Sequence, residues 1–238
     1  AKSQNQSGNM RNSNLAISIK NLSKSYGRLK ALDNISFDVN RGDFFAFLGP
    51  NGAGKTTTIN IITGLSNHNQ GDVKIFGYDT QKEYIATRKL VGLCTQDFNF
   101  DPFLSIYQAL YYQAGYFGIP RKIARQRTEE LLERFRLIDK KDDKFRMLSG
   151  GMKKRLTLCR ALIHDPEILI LDEPTNGLDI PSKRIIRNNL LEIKSQERVI
   201  IISTHNVKEL ENIFDNIIIL EKGKIIFKES ISNIKERL

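Results

Sequence analysis

The segment Gly49-Pro50-Asn51-Gly52-Ala53-Gly54-Lys55-Thr56-Thr57 completes the pattern G-x-x-x-x-G-K-[ST]. It follows the apolar run Phe-Phe-Ala-Phe-Leu at 44–48 and precedes a helix-forming stretch read as 57–65. Glycines let the backbone curl until successive N–H groups point inward, and a helix starting there adds the positive end of its dipole. That cradle suits a chain of phosphates. Lys55 then reaches the β- and γ-phosphates of a nucleoside triphosphate, and the Thr56 hydroxyl ligates Mg²⁺. Further along, the apolar run Ile168-Leu169-Ile170-Leu171 ends in Asp172 and Glu173. A carboxylate at the carboxyl edge of a buried strand can bind Mg²⁺, often through water, which is the role read for Asp172. Glu173 reaches a water aimed at the γ-phosphate, as general base or orienter. Alone, an Asp-Glu pair at a strand end is an ordinary loop charge cluster; the phosphate loop upstream gives this pair its chemistry.

These groups need a scaffold that brings several strand ends together. Short β-branched and aromatic runs at 17–22, 35–39, 44–48, 73–76, 91–94, 168–171, 199–203, 217–220 and 225–227 read as strands. The runs at 168–171 and 199–202 are apolar throughout, as in parallel strands covered on both faces. Ile17-Ser18-Ile19 and Ile35-Ser36-Phe37 alternate instead, which fits an antiparallel sheet with one wet face. Helical periodicity runs from Arg121 to Ile138, with Ala124, Thr128, Leu131, Leu132, Phe135 and Ile138 on one stripe. The pattern predicts an α/β fold: a P-loop core with a mixed sheet, an antiparallel β subdomain, and a helical subdomain inserted at about 97–161. Eight of the twenty aromatics fall in 98–117. Residues 1–14 are polar and expected to be disordered, with Met10 a candidate natural start and the domain spanning 15–238.

A length of 238 residues suits one domain. No apolar run reaches the roughly 20 residues of a membrane span, and the polar beginning lacks a secretory pattern, so a cytoplasmic chain is expected. Cys94 and Cys159 lack metal-ligand spacing and read as small core residues. The net charge of +10 is spread along the chain; it fits a nucleotide, an anionic surface or nucleic acid without choosing among them. His68 and His164 carry no motif context.

Between the two phosphate-site motifs lies Leu148-Ser149-Gly150-Gly151-Met152, which resembles the signature sequence of the ABC ATPase family. The resemblance extends over about 15–238 and implies that Ser149, Gly150 and Gly151 serve the γ-phosphate of ATP held by a second ATPase subunit. The usual glutamine is Met152 here, which removes one polar contact. Tyr26 in SKSYG resembles the aromatic that stacks on adenine. Gln96 in LCTQD resembles the residue that senses Mg²⁺ and the attacking water. Asp179 in NGLD resembles the aspartate that communicates between subunits, with Gly177 in place of alanine. His205 in ISTHN resembles the switch histidine that contacts the γ-phosphate.

Within that family, LSGGMK and QDFNFDPF are most similar to single-domain ATPases of ABC-2 type exporters. The resemblance implies an ATP-Mg²⁺ dimer, a homodimer in the simplest case, that powers a separate integral-membrane permease from the inner face of the cell membrane. Export is favoured by a chain that ends soon after GKIIF, without an importer-type regulatory domain. The aromatic stretch 98–117 is expected to help form the groove for the permease's cytoplasmic helix, with Tyr111 and Tyr112 as contacts. The alternative is a non-transport ABC ATPase acting on nucleic acid or ribosomes. A single ATPase unit without long coiled-coil or zinc insertions argues against it, so no nucleic-acid partner is expected.

Overall fold

The computed structural model describes residues 14–194, 198–205 and 213–236. The expected disorder of the first fourteen residues lies outside the described residues except at Asn14, whose carbonyl accepts the Arg41 N–H. The strands are β1 Leu15–Tyr26, β2 Leu29–Asn40, β3 Phe44–Leu48, β4 Gln70–Ile75, β5 Tyr78–Asp79, β6 Val91–Cys94, β7 Ile168–Asp172, β8 Val199–Thr204, β9 Asn216–Glu221 and β10 Lys224–Ser230. The α-helices are α1 Lys55–Ile62, α2 Tyr84–Leu90, α3 Ile106–Tyr116, α4 Arg121–Arg134, α5 Gly150–Leu162, α6 Ile180–Lys194 and α7 Ile231–Glu236.

Among the described residues the strands form two sheets, ordered β2-β1-β4-β5 and β10-β9-β3-β8-β7-β6. The first is antiparallel throughout. The second is parallel from β9 to β6, with β10 antiparallel at the edge. The continuously apolar runs have the predicted cause. Along β3, Phe44, Ala46 and Leu48 pack on one face while Phe45 and Phe47 pack on the other. β7 and β8 divide likewise, Leu169, Leu171, Ile200 and Ile202 against Ile168, Ile170, Val199 and Ile201. The first face is covered by α3, α5 and α6. The second is covered by α1 and the antiparallel sheet, whose inward residues are the Ile17, Ile19, Ile35 and Phe37 of the alternating pattern.

Two helix ends fall short of their periodic pattern. α1 stops at Ile62, because Thr63 caps it and its hydroxyl turns back to the Ile59 carbonyl at 2.9 Å, followed by Gly64 with φ of 68°. α4 stops at Arg134 because Arg136 adopts a left-handed φ of 56° and ends the helix before Ile138. The carbonyls of Phe135 and Arg136 are then taken by the buried Arg155 of α5, at 2.8 and 3.3 Å. The two-residue β5 carries no sequence signal.

No described residue between β6 and β7 belongs to a strand, so the segment expected to be helical holds α3, α4 and α5. No described helix is long and apolar enough to cross a membrane. Both cysteines are buried and free, and burial pushes both thiols up, Cys94 to about 11.

His164 joins this helical segment to the sheet. Its ring lies flat on Phe117 at 3.8 Å between centroids, and Nε2 meets the Val91 carbonyl at 3.1 Å. Burial pushes the imidazole down from 6.5 to about 4. Between those values the unfolded chain binds a proton that the folded chain refuses, so stability is complete above the unfolded value and is lost as pH falls toward 4. The loss from pH 7 to pH 4.5 attributable to this ring is about 2 kcal/mol. Urea unfolding at the two pH values, compared between wild type and His164→Gln, should show that difference in the wild type only.

Candidate functional site

The phosphate loop leaves β3 at the carboxyl edge of the sheet. Gly49 has φ of 148° and lies so close to β9 that a Cβ would run into the Leu220 carbonyl. Gly54 caps α1 with φ of 109°, and a Cβ there would lie 2.7 Å from Leu32 Cδ2 and 2.9 Å from the Ala31 carbonyl oxygen. Neither position accepts a side chain without moving backbone. The loop is also tied to the β9–β10 turn, where the Gly223 N–H donates to Ala53 at 3.0 Å and its carbonyl accepts from Asp33 at 2.8 Å.

Lys55 is 6% exposed, and its ammonium donates to the carbonyls of Gly49 at 2.7 Å and Pro50 at 3.2 Å. A buried charge needs such partners. Its Nζ lies 3.9 Å from Glu173 Oε1. Thr56 Oγ1 donates to Asp172 Oδ2 at 3.1 Å, and Ser203 Oγ donates to Asp172 Oδ1. Glu173 adopts φ of 49°, which is costly for a side-chain-bearing residue. Its N–H is fixed by the Ser203 carbonyl at 3.1 Å and the Ser203 hydroxyl at 3.3 Å. His205 Nδ1 lies 3.0 Å from Glu173 Oε1, with half the His205 side chain in solvent.

Tyr26, Asn51, Gly52, Ala53, Gly54, Lys55, Thr56, Thr57, Gln96, Asp172 and Glu173 line one cavity of about 430 Å³. Gly49 and Pro50 support it through their carbonyls, and His205 adjoins it through Glu173. Tyr26 is 48% exposed, with Lys24 Nζ 4.7 Å from its ring centroid and Ser66 Oγ 3.3 Å from its hydroxyl. Lys30 and Lys222 line the same cavity and have no motif to mark them. Ser203, which holds both carboxylate residues, enters the sequence reading only as a strand residue. A serine within an apolar strand carries no signal until its neighbour in the sheet is known.

Ser149, Gly150, Gly151 and Asp179 do not line this cavity. Ser149 caps α5 and its Oγ accepts the Met152 N–H at 3.3 Å. Ser149 and Gly150 face solvent. A Cβ on Gly151 would strike Ser182, with Asp179 Oδ1 4.0 Å away, so the Asp179 loop packs on the start of α5. The site residues thus fall into two clusters, one around Lys55 and one around Ser149.

The aromatic stretch also divides. Phe98 and Phe100 pack on Phe145 at 5.6 and 4.7 Å. Phe117 lines a groove of about 260 Å³ with Thr63, Leu65, Arg88, Leu93, Gln113, Arg160 and His164. Tyr111 and Tyr112 do not line that groove; they turn with Tyr116 and Ile119 into a different cavity, near the start of α4. α3 is a short amphipathic helix that buries Ile106, Leu110 and Ala114.

The donor set fits the groups the sequence pointed to. Thr56 and Asp172 offer oxygen ligands to a hard cation, and a buried lysine beside a reversed-handed loop at a helix start suits phosphate. The family model for ABC transporters matches residues 32–176. Nod factor export ATP-binding protein I of Ralstonia nicotianae is 38% identical over 210 residues, covering 88% of this chain and 65% of the relative. Linearmycin resistance ATP-binding protein LnrL of Bacillus subtilis is 34% identical over 219 residues, 92% of this chain and 70% of the relative. Among solved structures, an ATP-binding subunit of an ABC transporter superposes with a TM-score of 0.85 at 28% identity, over 93% of this chain and 92% of that one. A dimeric bacterial ABC transporter cassette gives 0.84 at 27% identity, over 90% and 98%. This chain spans just under two thirds of the first of these relatives. With the family model covering more than half its length and the phosphate cavity in place, the chain belongs to the ABC transporter family, among its ATP-binding subunits, the ABC ATPases.

Proposed function

We propose that the chain binds ATP with Mg²⁺, pairs head to tail with a second ATPase subunit, and uses hydrolysis to drive an integral-membrane permease from the inner face of the membrane. The observation that carries this reading is the separation of the two clusters. Lys55 commands a cavity that no residue of the Ser149 segment lines, while Ser149 and Gly150 present a helix start to solvent. The first N–H groups of such a helix have no acceptor within it, and they suit the γ-phosphate of a nucleotide brought by another chain. The family's dimeric cassette is the precedent.

Each residue then has a task. Gly49 to Thr57 wrap the phosphates, Lys55 moves from the Gly49 and Pro50 carbonyls to the β- and γ-oxygens, and Tyr26 stacks on adenine. Thr56, Asp172 and Gln96 would hold the Mg²⁺, which when bound neutralises charge on the transferring phosphoryl group. Glu173 accepts the proton of the attacking water as it adds to the γ-phosphorus, while the bond to the β-bridging oxygen breaks. His205 orients Glu173 and meets the γ-phosphate. Asp179 relays contact between the subunits. Because both chains touch the phosphates only when closed, ATP favours the closed pair by that difference in affinity.

Export as the direction of transport is supported by the similarity to Nod factor export ATP-binding protein I. The permease's cytoplasmic helix docks in the groove between Leu65, Leu93 and Phe117. That groove is rimmed by Arg88 and Arg160 with no carboxylate in its lining, so its occupant is an apolar helix bearing an acidic residue.

Glu173→Gln should keep ATP binding and lower turnover on the order of 10²- to 10⁴-fold, since the amide cannot take the water's proton. Light scattering with Mg²⁺-ATP should then show a dimer for the variant and mostly monomer for wild type; wild-type turnover in the variant would remove Glu173 from this role. Leu65 is 60% exposed at the groove. Leu65→Asp should reduce recovery of the permease in co-purification from membranes about tenfold while nucleotide affinity stays as in wild type, a change of about 1.4 kcal/mol. Unchanged recovery would place the permease contact elsewhere.

A further inference from the structure

The loop after β6, which carries Gln96, and the segment before α5, which carries Ser149, are joined by a cluster that neither motif predicts. Phe145 sits in the 3₁₀ turn Phe145–Met147. Its ring stacks on Phe100 at 4.7 Å and 14°, and meets Phe98 at 5.6 Å. Cations from α5 cover the three rings. Lys153 Nζ lies 5.3 Å from the Phe145 ring, Lys154 Nζ 5.6 Å from Phe98, and the Arg160 guanidinium 4.4 Å from Phe100. Two of these cations also hold the loop's backbone. Lys154, 3% exposed, donates to the Thr95 carbonyl at 3.4 Å, and Arg160 Nη1 donates to the Asn99 carbonyl. The carbonyls on either side of Gln96 are thus fixed to α5, and α5 begins at Ser149.

We infer that Phe145, Lys154 and Arg160 are positioning residues that make the Gln96 loop and the Ser149 segment one rigid unit. The inference rests on the proposed function, in which Gln96 meets the nucleotide of its own chain and Ser149 serves the nucleotide of the other. A shift of Gln96 on ATP loading displaces Thr95 and Asn99, and with them Lys154, Arg160 and the start of α5. Binding in one cavity thereby aims Ser149 at the second. Rings and cations suit this task, because the covered ring faces hold the loop against α5 while the carbonyl hydrogen bonds set its register. Arg160 also lines the groove proposed for the permease helix, so an acidic group there reaches the same unit.

The test uses the Glu173→Gln chain as parent and adds Phe145→Leu, which keeps apolar volume and removes the ring face, or Phe145→Tyr, which restores it. Three quantities are measured: binding of a fluorescent ATP analogue by the dilute chain, melting temperature, and the apparent dissociation constant of the Mg²⁺-ATP dimer. Phe145→Leu should weaken the dimer about tenfold, at unchanged analogue affinity, with recovery in Phe145→Tyr. A purely structural role would move melting temperature and analogue affinity together. A dimer as tight as the parent's in Phe145→Leu overturns the inference, as does a weakening that Phe145→Tyr fails to restore. A parent that stays monomeric with Mg²⁺-ATP removes the two-chain reading and this unit's role with it.

Discussion

Parallel pairing of β3, β8, β7 and β6 is the constraint on which the rest depends. Its register sets Leu48 beside Thr204, Asp172 beside Ser203, and Cys94 beside Leu171. Four strands therefore end level, and the next residues of each are the phosphate loop, His205, Glu173 and the Gln96 loop. Chemistry that needs groups from four distant parts of a chain is obtained from one backbone repeat. Burial on both faces is what holds that repeat in place, since sliding one strand by a single residue would exchange its two apolar faces and reverse every side chain.

Within the site each charged group has partners in its own chain. Lys55 rests on two carbonyls and faces Glu173, while Asp172 takes hydrogen from Thr56 and Ser203. These contacts are replaceable ones. A triphosphate offers Lys55 stronger acceptors than carbonyls, and Thr56 and Asp172 can exchange their mutual hydrogen bond for a shared cation. Glu173 is different, because its backbone is held in a costly conformation by the same Ser203 that orients Asp172. Local strain kept by a rigid neighbour is a mark of a group whose direction matters more than its comfort.

Much of this was legible in the sequence, for identifiable reasons. Strand type followed from alternation at Ile17 and Ile35 against unbroken apolarity at Ile168 and Val199. The phosphate loop was legible because only glycine tolerates the left-handed turns and close backbone approach at Gly49 and Gly54. Helix ends were less so, since Arg136 reverses handedness with no glycine to announce it. Ser203, Lys30 and Lys222 reach the site through pairings between strands far apart in sequence, which local pattern does not encode. Tyr111 and Tyr112 line a cavity separate from the groove at Phe117, a division that sequence leaves open because aromatic density reports that a face is apolar without saying which neighbour covers it.

The account stands on a site shared between two chains, and complementation between two disabled chains tests that most directly. Ser149→Arg alone should bind ATP like the wild type and fail to turn over, whereas Lys55→Ala alone should fail at binding. Mixed, they form a pair with one site intact in both halves and the other intact in neither, so ATP-dependent pairing and turnover should reappear. Loss of ATP binding in the isolated Ser149→Arg chain as severe as in Lys55→Ala, with no recovery on mixing, would place both clusters in one chain's site and contradict the account.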